Sequence, residues 1–180
     1  MKKRVLILLM FAAMSFNVMA ANLWLKAGVL EGMGSEKIED PGYTVGLELS
    51  QGVLGFVDIG VGTAYNGNMK FDEGAGIDAK DIEYDMIPIY AFAKFNIIPI
   101  AIKPYIVARL GANIVVNDKT DYSSGVSSAE NGGYAAAGLG VELSDVLQAE
   151  LLYSISEVKN NPNGEDNVEM VSLTLGYNFL

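Results

Sequence analysis

The sequence contains neither cysteine nor histidine. Without cysteine there can be no disulfide, thiol nucleophile or thiolate metal site, and without histidine the commonest general base and transition-metal ligand are missing. Basic residues are also few, 12 against 22 acidic ones, and the formal charge of −10 argues against a nucleic-acid partner. These absences predict a protein that is not an enzyme and that needs no cofactor and no bound metal.

Long apolar runs are missing as well, although 51% of the 180 residues are hydrophobic. The one apolar stretch near the N-terminus spans residues 5–16, which is shorter than the ~20 residues that cross a bilayer as a helix. It follows a basic start and precedes small residues, an order typical of a secretory signal peptide over residues 1–20. We expect cleavage after Ala20 or Ala21. One domain over residues 21–180 then remains, with nine basic and 22 acidic residues and a formal charge of −13.

What the rest of the chain does have is alternation. In residues 171–179 the odd positions are apolar or aromatic and the even positions are small or polar. Because successive side chains of a strand point to opposite faces, such a segment has one apolar and one polar face. The same pattern predicts eight strands in all, at residues 22–30, 43–51, 56–66, 85–96, 103–117, 133–144, 147–157 and 171–179.

The connections between these strands alternate in length. Long polar segments occupy residues 31–42, 67–84, 118–132 and 158–167, whereas the connections at 51–55, 96–102 and 144–146 are short. In an up-and-down meander this order places every long loop at one end of the sheet and every short turn at the other. The fold class predicted is therefore all-β, an eight-stranded antiparallel up-and-down barrel.

The distribution of glycine indicates which face lies inside. Eight glycines share the polar faces of the strands with the charged residues. On a water-exposed face they would weaken the strands for no benefit, whereas in a narrow eight-stranded barrel they leave room for long charged side chains. We therefore predict a transmembrane β-barrel with lipid outside and charge inside. The alternative is a soluble periplasmic ligand carrier whose apolar face turns inward.

The charged residues on the predicted inner face form a candidate ion-pair network. We expect Arg109 to be its hub, because a guanidinium can engage two carboxylates, with Lys26 and Lys94 balancing the others. Acid–base chemistry by a pair such as Asp58 and Glu142 is the less favoured interpretation. A satisfied network would plug the lumen. Its predicted members are Lys26, Glu48, Asp58, Lys94, Arg109, Glu142 and Glu150.

Aromatic residues of the outer face fall near the predicted strand ends, where membrane-interface girdles occur. Pro88 fits the strand pattern badly because it lacks an N–H, so we expect a bulge there or a strand that begins near Ile89. The predicted interface aromatics are Tyr43, Tyr65, Phe95, Tyr177 and Phe179.

With its signal peptide and eight alternating strands, the chain resembles the OmpA/OmpX-type small outer-membrane barrels of Gram-negative bacteria. Two stretches also carry the resemblance, KPYIVARLG at residues 103–111 and LGYNF at 175–179, although Leu180 follows the aromatic residue on which such chains usually end. The resemblance implies export through the periplasm into the outer membrane, with outer-membrane lipid around the barrel. It also implies that the assembly machinery recognises the C-terminal strand.

The long loops are acidic, with 14 acidic residues against five lysines, a net charge of −9 at the outer end. This excess predicts solvated loops, or loops that bind a divalent cation or a surface partner. We expect a structural or surface-interaction protein with a plugged lumen; the alternative is a small-solute or ion channel.

Overall fold

The computed structural model describes residues 21–33, 41–53, 55–71, 82–97, 102–118, 131–160 and 164–180. The predicted signal peptide and much of the long connections lie outside the described residues. Within the described ranges, no helix is long and apolar enough to cross a membrane.

Eight strands form the fold. Each strand pairs antiparallel with the next along the chain, and β1 also pairs with β8, so that the sheet closes into a barrel in sequence order. This arrangement confirms the predicted fold class. The strands are β1 (Ala21–Met33), β2 (Gly42–Val53), β3 (Val57–Phe71), β4 (Ile82–Asn96), β5 (Lys103–Asp118), β6 (Gly132–Glu142), β7 (Leu147–Asn160) and β8 (Gly164–Asn178).

Most strands extend further toward the long connections than the alternation predicts. The end of the barrel with the long connections is called the loop end, and the opposite end is called the turn end. The register places Lys70 opposite Glu83 and Lys159 opposite Glu165, so backbone pairing continues where the sequence no longer alternates. In β8, for example, the apolar residues of the extension, Val168 and Met170, are buried instead of lying on the outer face, so the pattern of apolar outer positions no longer indicates the strand. As a result, these charged residues assigned to loops lie in strands: Glu31, Lys70, Glu83, Asp118, Lys159, Glu165 and Asp166.

The two faces of the barrel are as the alternation predicts. Apolar side chains of the outer phase are exposed, with Leu110 at 72% and Leu175 at 66%, whereas Lys26 and Glu48 of the inner phase are 5% and 2% exposed. A contiguous apolar belt of this kind needs a non-aqueous surrounding. The barrel therefore faces lipid with its apolar side and keeps its charges in the lumen.

Strand β4 runs through Pro88, so the expectation of a bulge at that residue or a start near Ile89 is wrong. Pro88 pairs with Asn113 of β5, while on the β3 side no pair is formed between Thr63↔Ile89 and Asn66↔Met86. This gap accommodates the missing N–H. The bulges instead lie in the neighbouring strands.

Both bulges face the start of β4. In β3, two residues oppose Asp85, and one of them, Asn68, has a φ of 60° and donates its backbone N–H to Asp85 Oδ1 at 3.2 Å. In β5, the register skips Val116. An extra residue in each neighbour lets the sheet bend at this point without breaking β4.

Candidate functional site in the barrel lumen

The seven charged residues predicted for the lumen all lie on the inner phase of their strands, and the structure divides them into two groups. Four of them, on β1, β2, β5 and β7, meet at mid-height and are called here the central cluster: Lys26, Glu48, Arg109 and Glu150. The other three meet near the turn end with a fourth residue and are called the turn-side cluster: Asp58, Lys94, Glu142 and Lys103.

The central cluster is a closed ring of two cations and two carboxylates. Lys26 Nζ lies 2.7 Å from Glu48 Oε2 and 3.1 Å from Glu150 Oε2. Arg109 Nη2 lies 2.6 Å from Glu48 Oε1 and also contacts Glu150 Oε1. Each carboxylate therefore gives one oxygen to each cation, and the group is charge-balanced while no member is more than 8% exposed.

Tyrosines complete the coordination of both carboxylates. The Tyr90 hydroxyl donates to Glu48 Oε1 at 2.9 Å, and the Tyr105 hydroxyl lies 3.2 Å from Glu150 Oε2. The Arg109 guanidinium carbon also lies 4.9 Å from the centre of the Tyr90 ring, within the range of a cation–π interaction. Such additional hydrogen bonds are what make a buried ion group tolerable.

The turn-side cluster is more open. Lys94 Nζ lies 2.8 Å from Glu142 Oε1 and 3.9 Å from Asp58 Oδ2, and Lys103 Nζ lies 3.9 Å from Glu142 Oε2. The Lys103 side chain is 40% exposed, so its ion pair is screened by solvent. The sequence predicts four carboxylates on the inner face as possible partners of Arg109. In the structure Arg109 contacts two of them, Glu48 and Glu150, whereas Asp58 and Glu142 contact Lys94.

Aromatic side chains join the two clusters. Lys94 Nζ lies 4.8 Å from the centre of the Tyr105 ring and 5.3 Å from the Trp24 ring. Tyr105 therefore contacts Lys94 with its ring and Glu150 with its hydroxyl. Side-chain contacts therefore link the two clusters, and both Trp24 and Tyr105 are buried.

These lumenal aromatics are the residues that the sequence reasoning missed. Two more lumenal aromatics of this kind lie opposite glycines in register, Tyr90 opposite Gly62 and Phe92 opposite Gly60. A Cβ on Gly62 would lie 2.8 Å from the Tyr90 ring. Among the inner-face glycines, Gly60, Gly62 and Gly140 make room for rings, and Gly62 also makes room for the side chain of Glu48. Other inner-face glycines lie against backbone, aliphatic or amide atoms of the neighbouring strand. The alternation of β4 could have placed these rings in the lumen, since Tyr90 and Phe92 occupy even-numbered positions, on the same face of the strand as Lys94.

The same relation links β5 to β6. Tyr105 lies opposite Gly140, and a Cβ at Gly140 would overlap the Tyr105 ring. Tyr90 is flanked on its other side by Gly111. Together the rings and the apolar residues beside them fill the lumen next to the central cluster, in a buried group formed by Tyr90, Phe92, Tyr105, Val107, Tyr134, Ala136 and Leu152.

The five aromatics predicted at the membrane interfaces lie at the two ends of the outer face. The rings of Tyr43 and Tyr65 are 6.0 Å apart at the loop end, and those of Tyr177 and Phe179 are 5.0 Å apart at the turn end. Phe95, also near the turn end, is exposed. The Tyr65 hydroxyl also donates a hydrogen bond to Asp85 Oδ2 at 2.7 Å, which links the Tyr65 side chain to β4.

Metal-ligating groups do not gather in the part of the chain that the structure describes: no three acidic residues there are placed to hold an ion. Much of the acidic loops predicted to bind a divalent cation lies outside these residues.

Known structures share this fold. Neisserial surface protein A (NspA) is 15% identical over 88% of this chain and 96% of its own, with a TM-score of 0.60. OprG from Pseudomonas aeruginosa is 12% identical over 89% and 96%, also with a TM-score of 0.60. Ail of Yersinia pestis, crystallised with the heparin analogue sucrose octasulfate, is 15% identical over 88% and 97%, with a TM-score of 0.50.

At these identities the likeness concerns the fold alone. No curated protein matches the sequence. The family described as the outer membrane protein β-barrel domain, however, matches residues 6–179, nearly the whole chain. The protein belongs to this family and is a barrel of the Gram-negative outer membrane.

Proposed function

We propose that this protein is a plugged outer-membrane barrel with a non-catalytic role, structural or in surface interaction through its acidic loops. One observation carries the plug: the central cluster connects strands from opposite sides of the barrel. Lys26 is on β1 and Arg109 on β5, four strands apart in a ring of eight, and each contacts both Glu48 and Glu150. The ion pairs therefore cross the lumen.

Opening the lumen would require these contacts to separate. Removing one partner from a buried ion group leaves an uncompensated charge, at a cost of about 3–5 kcal/mol. The tyrosine hydroxyls and the rings packed against the glycines would have to move with them. This cost favours a closed resting state over a continuously open pore.

The absence of histidine and cysteine from the whole sequence supports the non-catalytic part of the proposal. Outer-membrane lipid surrounds the barrel. We further propose that residues 1–20 are removed on export and that β8 is the segment that the assembly machinery recognises. N-terminal sequencing of protein taken from outer membranes should begin at Ala21 or Asn22; a start at Met1 would contradict the cleavage.

The charge of the loops suggests the chemistry of a partner. Ail has been crystallised with a sulfated sugar analogue, whereas the long connections of this chain, with the strand ends beside them, carry 14 acidic residues against five lysines. Repulsion would oppose an anionic sugar here. A cationic surface, or a divalent cation that bridges the loops to anionic glycolipid, fits better.

Conductance tests the plug. Refolded protein in planar bilayers should show no steady current, because the central cluster closes the lumen. Glu48→Gln, which leaves Lys26 and Arg109 with one shared carboxylate, should produce openings, whereas Glu31→Gln, a change on the exposed end of β1, should not. A steady wild-type current that is lost in Glu48→Gln would instead indicate a channel that uses this carboxylate.

A binding assay tests the loops independently. Barrels in nanodiscs should retain oligolysine at low salt and release it as salt screens the loop charge, and they should not retain heparin. Retention of heparin, or no retention of oligolysine with or without Mg²⁺, would contradict the proposed surface role even if the lumen proves closed.

A further inference from the structure

The lumen contains a cavity of about 30 Å³ on the loop side of the central cluster. A space of this size holds roughly two water molecules or one small monatomic ion. Lys26 and Arg109 line its turn side, and Leu30 and Met170 line its loop side. Leu30 and Met170 are buried, so apolar side chains cover the cavity toward the loops.

The polar lining of this cavity is cationic and rich in hydroxyl groups. Besides the two cations it includes Thr44, Ser154 and Thr174. No residue of the described lining is acidic, because Glu48 and Glu150 contact Lys26 and Arg109 without lining the cavity themselves. The central cluster is neutral as a whole, but it turns its positive side toward this space.

Two buried polar atoms of the lining residues have no hydrogen-bond partner among the described residues: Arg109 Nε and Thr174 Oγ1. Both side chains are more than nine-tenths buried. A guanidinium nitrogen can only donate, and a buried donor without an acceptor is costly. An occupant of this cavity that pairs with Arg109 Nε must therefore accept a hydrogen bond.

We propose that the cavity binds a monatomic halide ion, with chloride as the ordinary occupant, held by Lys26, Arg109 and Thr174. A halide accepts hydrogen bonds from every donor of the lining and needs to donate none. Sulfate, phosphate and carboxylate anions are too large for this volume. The bound ion would stabilise the plug from its loop side, and the site does not depend on what the loops bind.

Bromide tests the site directly. Crystals of the refolded barrel soaked in sodium bromide should show an anomalous peak in the cavity, beside Lys26 and Arg109. In parallel, the thermal midpoint of the barrel in detergent should be higher in sodium chloride or bromide than in sodium gluconate at equal ionic strength.

Matched variants locate the effect. Thr174→Val removes the hydroxyl at nearly constant shape and should reduce the halide-dependent rise in midpoint by at least half. Thr63→Val makes the same change on the outer face and should leave the rise intact. The proposal is overturned by a cavity that shows only water and no bromide, or by a halide effect equal in all three proteins. If Thr174→Val does not fold, the wild-type bromide peak alone decides.

Discussion

At the scale of single residues, the contacts of Arg109 in the central cluster make it a sensitive position. It contacts both Glu48 and Glu150, and neither carboxylate can reach water in exchange. Arg109→Ala should lower the free energy of unfolding by about 3–5 kcal/mol, because two buried carboxylates would then share one lysine. Urea unfolding of the refolded barrel in lipid vesicles measures the change.

Lys103 provides the control for removing a lumenal cation. The Lys103 side chain is 40% exposed. Its Nζ lies 3.1 Å from Asp145 Oδ1, and the Asp145 side chain is almost fully exposed. Lys103→Ala should therefore cost only about 0–1 kcal/mol. Equal effects of the two substitutions would mean that Arg109 contributes no more than a surface charge.

At the scale of strands, the register between β5 and β6 depends on the fit of Tyr105 against Gly140. A methyl group at Gly140 would overlap the Tyr105 ring, which also contacts Lys94 and Glu150 and cannot move freely. Gly140→Ala should destabilise the barrel by roughly 1–3 kcal/mol through overpacking. The same urea unfolding measurement reports it.

A second glycine and a double mutant check the cause. A Cβ at Gly52 would meet only Asp58 Oδ1 at 3.4 Å, so Gly52→Ala should have little effect. Tyr105→Ala combined with Gly140→Ala should cost less than the sum of the single changes, since the ring is then absent. Strict additivity would show that the two residues are not coupled.

At the scale of the whole molecule, the apolar belt requires lipid around the barrel. Leu110 lies midway along β5 and is 72% exposed on the outer face. Leu110→Arg should cost about 2–4 kcal/mol in vesicles, because a charge near the bilayer midplane is poorly solvated. Vesicle-folded wild type and variant, compared by urea unfolding, give the value.

The control for Leu110→Arg is the same kind of substitution at a position nearer the surface of the membrane. Val146 is also exposed but lies in the short connection between β6 and β7, at the turn end. Val146→Arg should cost only about 0–1 kcal/mol near the interface. A Leu110→Arg barrel as stable as the Val146→Arg barrel would contradict the membrane position derived from the belt.

Alternation was enough to predict the barrel because it is a local property. Whether Leu110 faces out and Arg109 faces in depends only on the parity of the position, which any strand converts into two faces. Parity stopped being informative beyond the belt, where apolar residues no longer mark the outer face, so the end of β3 was placed too early and the starts of β4 and β8 too late. Pro88 was misjudged because its accommodation depends on a gap in the β3–β4 ladder.

The sequence by itself therefore determined the eight strands, their order and their two faces. Only the tertiary structure decided which charges meet: Arg109 contacts Glu48 and Glu150, while Asp58 and Glu142 contact Lys94. It also paired the rings of Tyr90 and Tyr105 with their glycines. The reason is physical. Faces follow from the alternation of each strand alone, but contacts across a lumen depend on how far each strand is staggered along its neighbours, which closure of the whole barrel sets.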